Sequence, residues 1–157
     1  MAGYDKLTPE GKKFYAEIKN LKDNEVFVGF QSGHDTHKDE ETGREVDMAE
    51  IAIYNELGTS TSPPRPFLRQ SFDDNQAKII AMCEQQTKEI AKGGTAENSL
   101  KNLGVFGVGL VQEKIVSGNF TPNAPSTIKA KGSERPLIDT GQMRQSVHYV
   151  IRKKGGS

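Results

Sequence analysis

The chain has little of what disulfide-rich, membrane-spanning or multi-cysteine zinc proteins require. Its 157 residues include one cysteine, Cys83, and no tryptophan. A single cysteine excludes an internal disulfide framework and any zinc site built from several cysteines. No run approaches the roughly 18 uninterrupted apolar residues of a transmembrane helix. Residues 1–6 have no apolar run after their charges, so no signal peptide is predicted. These absences predict a protein made and kept in a reducing cytoplasm.

Charge is balanced overall but separated along the chain. The 21 Lys and Arg residues match the 21 Asp and Glu residues. Residues 1–113 nevertheless carry 13 basic and 19 acidic side chains, a balance of −6, and residues 114–157 carry 8 basic and 2 acidic side chains, a balance of +6. This separation indicates complementary faces that dock copy to copy, or a basic edge for an acidic partner. Neutralisation within one fold is the alternative.

The first third of the chain predicts a helix, a strand and a polar stretch. Thr8 and Pro9 are typical of a helix start, and this helix is predicted to reach about Asn20. A strand is predicted at residues 26–30, where the continuous apolar run VFVGF indicates that both faces are covered. Residues 31–47 have almost nothing to bury. They are predicted to form a long, exposed and mobile loop or hairpin tip.

A shorter helix and a stiff turn are predicted next. Asp47 is placed to cap a helix that ends at Gly58. The apolar residues of this helix recur at helical spacing: Met48, Ala49, Ala52, Ile53 and Leu57. The three prolines of residues 59–66 (TSTSPPRP) predict a rigid elbow. A polyproline ligand for an aromatic groove is the less favoured interpretation.

A long helix is predicted from about residue 67 to residue 92, where two glycines end it. Five of its residues fall within about 60° of one another on a helical wheel. They are predicted to form a narrow stripe that faces the core: Leu68, Phe72, Ile79, Cys83 and Ile90.

A second long helix is predicted from residue 95 to residue 116. Its middle, residues 103–111, is apolar nearly all round. Such a helix is buried on two sides, by its own fold or by a neighbouring subunit. Gly104 and Gly107 each cost ~1 kcal/mol in helix propensity, which indicates a close backbone contact at this point.

The end of the chain predicts a loop at residues 117–136, a helical turn starting near Asp139 and a strand around residues 147–151. Two strands alone are marginal, so a sheet of three or four strands is expected. The predicted fold class is α+β, with a small, mostly antiparallel sheet packed against two or three long helices, and long exposed loops. The predicted organisation is an N-terminal helix and lead-in (1–24), a single domain (25–152) with a polar loop at 31–47, and a flexible tail (153–157).

Three motifs resemble catalytic or ligand-binding motifs, and each has a simpler structural interpretation. Residues 137–141 (LIDTG) have the form of an aspartic-protease signature, which needs two carboxylates and hence a dimer; a helix cap at Asp139 explains them better. His34 and His37 match no zinc spacing and lie in a charge run. Residues 104–109 lack the strand and turn of a dinucleotide-binding motif. We therefore predict no enzyme, no catalytic residue, no metal and no cofactor.

Two linked segments carry a resemblance to a known family. The first comprises residues 26–30 (VFVGF), 48–52 (MAEIA), 54–59 (YNELGT) and 63–69 (PPRPFLR). The second comprises residues 125–129 (PSTIK), 131–133 (KGS), 136–143 (PLIDTGQM) and 146–147 (SV). In this order they resemble the neck, tail-completion or minor-tail proteins of tailed bacteriophages and prophages, over roughly residues 25–152. Several linked motifs are more specific than any one of them.

The resemblance implies an α+β structural virion protein at the head–tail junction. Such a protein assembles in the bacterial host cytoplasm as a homo-oligomeric ring, joins or closes the connector or tail, and lets DNA pass. The implied partners are copies of the chain, other connector and tail proteins of the particle, and double-stranded DNA contacted non-specifically in the channel, with no membrane. The family brings no catalytic residue. One set of motif residues is implied to be fold elements: Pro63, Pro64, Arg65, Pro66, Asp139 and Gly141.

Two sets of residues are candidates for contacts. The basic candidates for subunit or DNA-channel contacts would meet phosphates without reading sequence: Lys129, Lys131, Arg135 and Arg144. The candidates for packing or for an interface lie on the second long helix: Leu103, Gly104, Phe106, Gly107 and Val111. Two other functions stay open, namely a sequence-independent nucleic-acid-binding module and, less favoured, a dimeric aspartic protease that uses Asp139.

Overall fold

The structure is a computed structural model that describes residues 6–33, 35–38, 43, 45–61, 63–117 and 141–155. These residues form six helices and four strands, and the predicted α+β fold class is confirmed. The helices are α1 Pro9–Asp23, α2 Met48–Leu57, α3 Phe67–Asp73, α4 Gln76–Ala91, α5 Ala96–Ser117 and α6 Gly141–Gln145. The strands are β1 Asn24–Gly29, β2 Thr36–Lys38, β3 Glu45–Asp47 and β4 His148–Lys153.

The chain groups into two compact units. Unit 1 comprises Met1–Val28, Gln76–Gly107 and Tyr149–Ser157, and unit 2 comprises Gly29–Asn75 and Val108–His148. Unit 1 therefore contains α1 and α4, nearly all of β1 and β4, and the first half of α5. Unit 2 contains the β2–β3 pair, α2, α3, α6 and the second half of α5.

The strands form two separate two-stranded sheets, β1 with β4 and β2 with β3. The β2–β3 pair is antiparallel, and His37 lies opposite Val46. Just beyond β4, the Lys154 N–H donates to the Asp23 carbonyl just before β1, at 2.8 Å. The end of β4 thus lies beside the start of β1, which makes this pair antiparallel too. The expected single sheet of three or four strands is wrong for the described residues, because residues 31–47 pair with themselves.

In unit 1, the β1–β4 sheet packs on α5 where that helix has glycines. A Cβ atom on Gly104 would overlap Cγ and Cδ2 of Tyr149, and a Cβ on Gly107 would lie 2.7 Å from Cγ2 of Val28. The predicted close backbone contact is confirmed. Because side chains alternate along a strand, Phe27 points away from this contact and is 48% exposed. The expectation that both faces of β1 are covered is therefore wrong.

The predicted helix starts are confirmed at α1 and α2. The Thr8 hydroxyl accepts a hydrogen bond from the Gly11 N–H at 3.1 Å. The Asp47 carboxylate accepts one from the Ala49 N–H at 3.0 Å, so one orphan donor is satisfied at each helix start. Gly58 follows α2 with a φ of 77°, a region that favours glycine.

The predicted helix 67–92 is two helices, separated by a turn at Asp74 and Asn75. Asn75 ends α3, because its side-chain amide donates to the Ser71 carbonyl at 2.7 Å. The predicted stripe assumed one unbroken helix, so it does not mark one face. Of its members, Ile90 is buried and Cys83 is exposed. The helix predicted at residues 95–116 is confirmed as α5.

The polar stretch 31–47 contains the β2–β3 hairpin, which was the second of the two predicted alternatives. The Met48 N–H at the start of α2 donates to the Asp35 carbonyl at 2.9 Å, so the residues before β2 are tied to that helix. The prediction that this stretch is mobile stays a prediction. Among the described residues, no helix is long and apolar enough to cross a membrane.

Candidate interaction surfaces

The predicted basic contacts lie mostly outside the described residues. Lys129, Lys131, Arg135 and the proposed cap Asp139 all fall there, as does the predicted loop at 117–136. Arg144 is described, and its side chain is exposed on α6. Its backbone carbonyl accepts a hydrogen bond from the Gln112 side chain at 3.2 Å, which fixes α6 against the second half of α5. Gly141, the first residue of α6, is half-buried.

The five candidates on α5 divide between packing and partial exposure. Gly104, Gly107 and Val111 are buried, so they serve the packing of the chain itself. Leu103 and Phe106 are half-buried. Val105, between them in sequence, is 61% exposed. The helix is therefore apolar on the side that packs within the fold and also at one exposed position.

The proline-rich motif forms a tightly bonded elbow between α2 and α3. The Arg65 N–H donates to the Asn55 carbonyl at 2.6 Å. The next helix begins at Phe67, which is fully buried and packs edge-to-face with Phe30 at a ring-centroid distance of 5.9 Å. Burial lowers the pKa of the Arg65 guanidinium from its ordinary value.

Glu56, near the end of α2, caps the start of α3. Its two carboxylate oxygens accept hydrogen bonds from the N–H groups of Leu68, at 2.9 Å, and Arg69, at 3.0 Å. A carboxylate at a helix N-terminus satisfies orphan donors and complements the helix dipole. Pro63 and Pro64 are exposed, whereas Arg65 and Pro66 are half-buried. These contacts support the interpretation of this motif as a fold element.

A polar cluster joins the residues around the hairpin to α2 and to the start of β4. The Asp47 carboxylate accepts bonds from the Gly33 N–H, at 2.7 Å, and the Ser32 hydroxyl, at 3.1 Å. The backbone donors of Gly33 and Ala49 lower the pKa of Asp47 below its ordinary value. His148 Nε2 lies 3.0 Å from a carboxylate oxygen of Asp35. Within the described ranges, no group of three His, Cys, Asp or Glu side chains is arranged to hold a metal ion.

Among the described residues of unit 2, the exposed large apolar side chains all lie on one face of α2. Ile53 is 53%, Tyr54 50% and Leu57 73% exposed, while Met48 and Ala52 on the other side of the helix are buried. The exposed set continues with Glu50, which lies three and four residues before Ile53 and Tyr54. We call Glu50, Ile53, Tyr54 and Leu57 the α2 stripe. Their i, i+3, i+4, i+7 spacing is that of helices that dock into partner surfaces.

A shallow apolar groove of about 250 Å³ runs beside the α2 stripe. Two members of the stripe, Ile53 and Leu57, also line the groove; its other lining residues are Phe30, Ala49, Ala52, Glu56 and Leu68. The helical spacing places Ile53 and Leu57 in one apolar set with Met48 and Ala52, but Ile53 and Leu57 are exposed. Helical spacing alone could not separate the two apolar faces, although a helix with only three polar residues in ten already suggested that one apolar face is left over.

Unit 1 also has an exposed surface that contains a large side chain, on the outer face of the β1–β4 sheet. The guanidinium of Arg152 lies over the Phe27 ring, 5.6 Å from its centroid, so both side chains are on the face that α5 does not cover. Lys154, two residues after Arg152, is also exposed, whereas Lys153 alternates to the other face of the strand. We call Phe27, Arg152 and Lys154 the β4 patch. It combines an exposed aromatic ring with two positive charges.

Comparisons with protein-family models, with curated proteins and with solved structures found no match for this chain.

Proposed function

We propose that this protein is a structural component of a tailed bacteriophage at the head–tail junction. In this role it forms an oligomeric ring that joins or closes the connector or tail and lets DNA pass. The observation that carries the proposal is the ordered pair of motif segments, residues 26–69 and residues 125–147. The proposed partners are copies of the chain and neighbouring connector and tail proteins, and the proposed location is the virion.

The geometry of the first segment supports a mechanical role for its motifs. The elbow at Arg65 and Pro66 is bonded to α2, and Phe67 is fully buried beneath it. Glu56 is engaged at the start of α3 rather than open to a substrate. The polar groups of this motif fix the connection between α2 and α3. They therefore serve the rigidity of the fold, which a ring subunit requires.

The exposed surfaces support assembly into a ring. A ring requires a head-to-tail interface, in which two different patches meet at every contact. The chain has two chemically different exposed surfaces, the α2 stripe and the β4 patch, and its charge is separated between its first 113 and last 44 residues. Apolar surface rimmed by charge is characteristic of sites that bind other proteins.

Electron microscopy of the virus particle tests this function. In a phage that encodes the chain, deletion of its gene should leave filled heads and tails that are not joined, or heads that lose DNA. Restoring the gene should restore joined, infectious particles. The proposal would be contradicted if washed particles of the parent phage lacked the chain and the deletion phage still produced normal particles.

The basic candidates refine the same experiment. Replacement of Lys129, Lys131 and Arg135 by Glu should remove the neck if these residues make subunit contacts, because like charges would then repeat around the ring. If they line the channel instead, the neck should form but DNA retention or passage should fail. Normal infectious particles from this variant would show that the charge separation is neutralised within each subunit.

A further inference from the structure

We propose that the α2 stripe of one copy docks on the β4 patch of the next copy. This inference rests on the proposed ring function and identifies the two surfaces that would form its repeating contact. Each copy carries one stripe in unit 2 and one patch in unit 1, so every copy can give one contact and receive another. A head-to-tail contact of this kind closes into a ring when its rotation closes.

The first argument is the exposed apolar area on α2. Three large side chains of a ten-residue helix are at least half exposed, and they lie on one face with a groove beside them. Leu57 lies four residues after Ile53 and three after Tyr54, and anchors at such spacings are the pattern by which amphipathic helices bind partner surfaces. Removal of the exposed parts of these three side chains from water would favour association.

Charge complementarity indicates which surface binds the α2 stripe. From Glu45 to Leu57 the chain has four acidic residues and no basic one. From His148 to Gly155 it has three basic residues and no acidic one. A partner for the α2 stripe should therefore be apolar and basic, and the β4 patch has this composition. Opposite potentials steer the two surfaces together and fix which surface meets which.

The third argument is that both surfaces can tolerate burial. Phe27 is half exposed, and the Arg152 guanidinium stacked on it presents a flat hydrophobic and cationic surface. Arg and aromatic residues are the side chains most enriched at the centres of interfaces. Glu50 lies on the first turn of the α2 stripe and is free of the capping role that Glu56 has, so it is the acid best placed to meet a basic side chain of the patch.

Cross-linking between copies tests the contact. In a Cys83→Ser background, Tyr54→Cys and Phe27→Cys proteins are purified separately, mixed at high concentration and treated with a short bismaleimide. Because each variant has one thiol, a product containing one of each variant reports a contact between copies. We expect this product to exceed, by about tenfold, the product from a control mixture of Tyr54→Cys with Ile80→Cys. Ile80 is 56% exposed on α4 and belongs to neither surface.

A second pair of variants guards against misfolding. Leu57→Cys and Arg152→Cys, both at exposed positions, should give the same enrichment, and each variant should unfold at the temperature of the parent protein. Equal yields in the test and control mixtures for both pairs, or no product in either, would overturn the proposed contact.

Charge exchange provides an independent readout. Glu50→Lys and Arg152→Glu should each weaken self-association about tenfold, measured by sedimentation. The double variant should recover most of this loss, because the two exchanged charges again attract each other. Additive losses without recovery would contradict the pairing. Cross-linking in a protein that is missing from particles would instead reject the virion function and leave the contact in place. A chain found at the neck without this cross-link would reject the contact alone.

Discussion

Helix α2 and the middle of α5 are both apolar nearly all round, but the chain covers their apolar side chains to different extents. On α5, two glycines let Tyr149 and Val28 approach the helix backbone, and the side chains of Leu110, Val111 and Ile115 are buried. On α2, Ile53, Tyr54 and Leu57 stay in contact with solvent. An apolar face therefore does not determine burial by itself, and on α5 the close approach of Tyr149 and Val28 depends on two glycines.

The largest expected effect is on the covered helix. Ile115→Ala should lower the free energy of unfolding by about 2–5 kcal/mol, because Ile115 is 2% exposed and the substitution removes its packing and leaves a cavity. Chemical denaturation of the purified protein measures this change. Retention of the parent midpoint would mean that the end of α5 is not part of a packed core.

The next effect concerns the close contact at Gly104. Gly104→Ala should destabilise the protein by about 1–3 kcal/mol, because the added methyl group overlaps the Tyr149 ring and outweighs the gain in helix propensity. Gly109→Ala is the matched control on the same helix, since a Cβ there meets no atom within 4 Å. That variant should gain roughly 0.5–1 kcal/mol. Equal gains in both variants would show that the sheet does not press on α5.

A smaller effect is expected on the exposed helix. Leu57→Ala should change the stability of the dilute protein by no more than about 0.5 kcal/mol, because the side chain is 73% exposed. The same substitution should weaken self-association in sedimentation experiments at high protein concentration. A loss of stability comparable to that of Ile115→Ala would mean that α2 is covered within its own chain, and the contrast between the helices would disappear.

The smallest effect is a change in the shape of the acid unfolding curve. The folded-state pKa of Asp47 is lowered by the backbone donors of Gly33 and Ala49. A lowered pKa contributes stability above the unfolded-state value, and this contribution is lost as the pH falls below about 4 towards the folded-state pKa. Asp47→Asn keeps a capping side chain but cannot titrate, so its stability should fall less steeply in acid. Parallel curves for both proteins would reject this role.

Local signals predicted much of the fold. Caps at Thr8 and Asp47 and the glycines after α2 and α4 placed the helix boundaries, because they act within a few residues of one another. The turn at Asp74–Asn75 was missed because it depends on a local bond from the Asn75 side-chain amide to the Ser71 carbonyl. Such a bond competes with the helix, and the spacing of apolar residues does not reveal it. The pairing of β2 with β3 was offered only as an alternative, since three-residue strands without apolar alternation carry little signal.

The candidate surfaces were predictable in part. The charge separation and the doubly apolar middle of α5 were visible in sequence, and the glycine contacts there were correctly expected. The α2 stripe was not recognised, because Ile53 and Leu57 share helical spacing with buried Met48. Which of two apolar faces is covered depends on distant parts of the chain, such as the elbow at Arg65, and periodicity alone does not contain that information.

A density map of the assembled particle tests the central claim most directly. At a resolution that separates helices, cryo-electron microscopy should reveal a ring at the head–tail junction in which α2 of every copy lies against the β1–β4 sheet of its neighbour, with Leu57 covered. A ring in which α2 faces solvent or the channel, or a junction that contains no copy of this chain, would contradict the account.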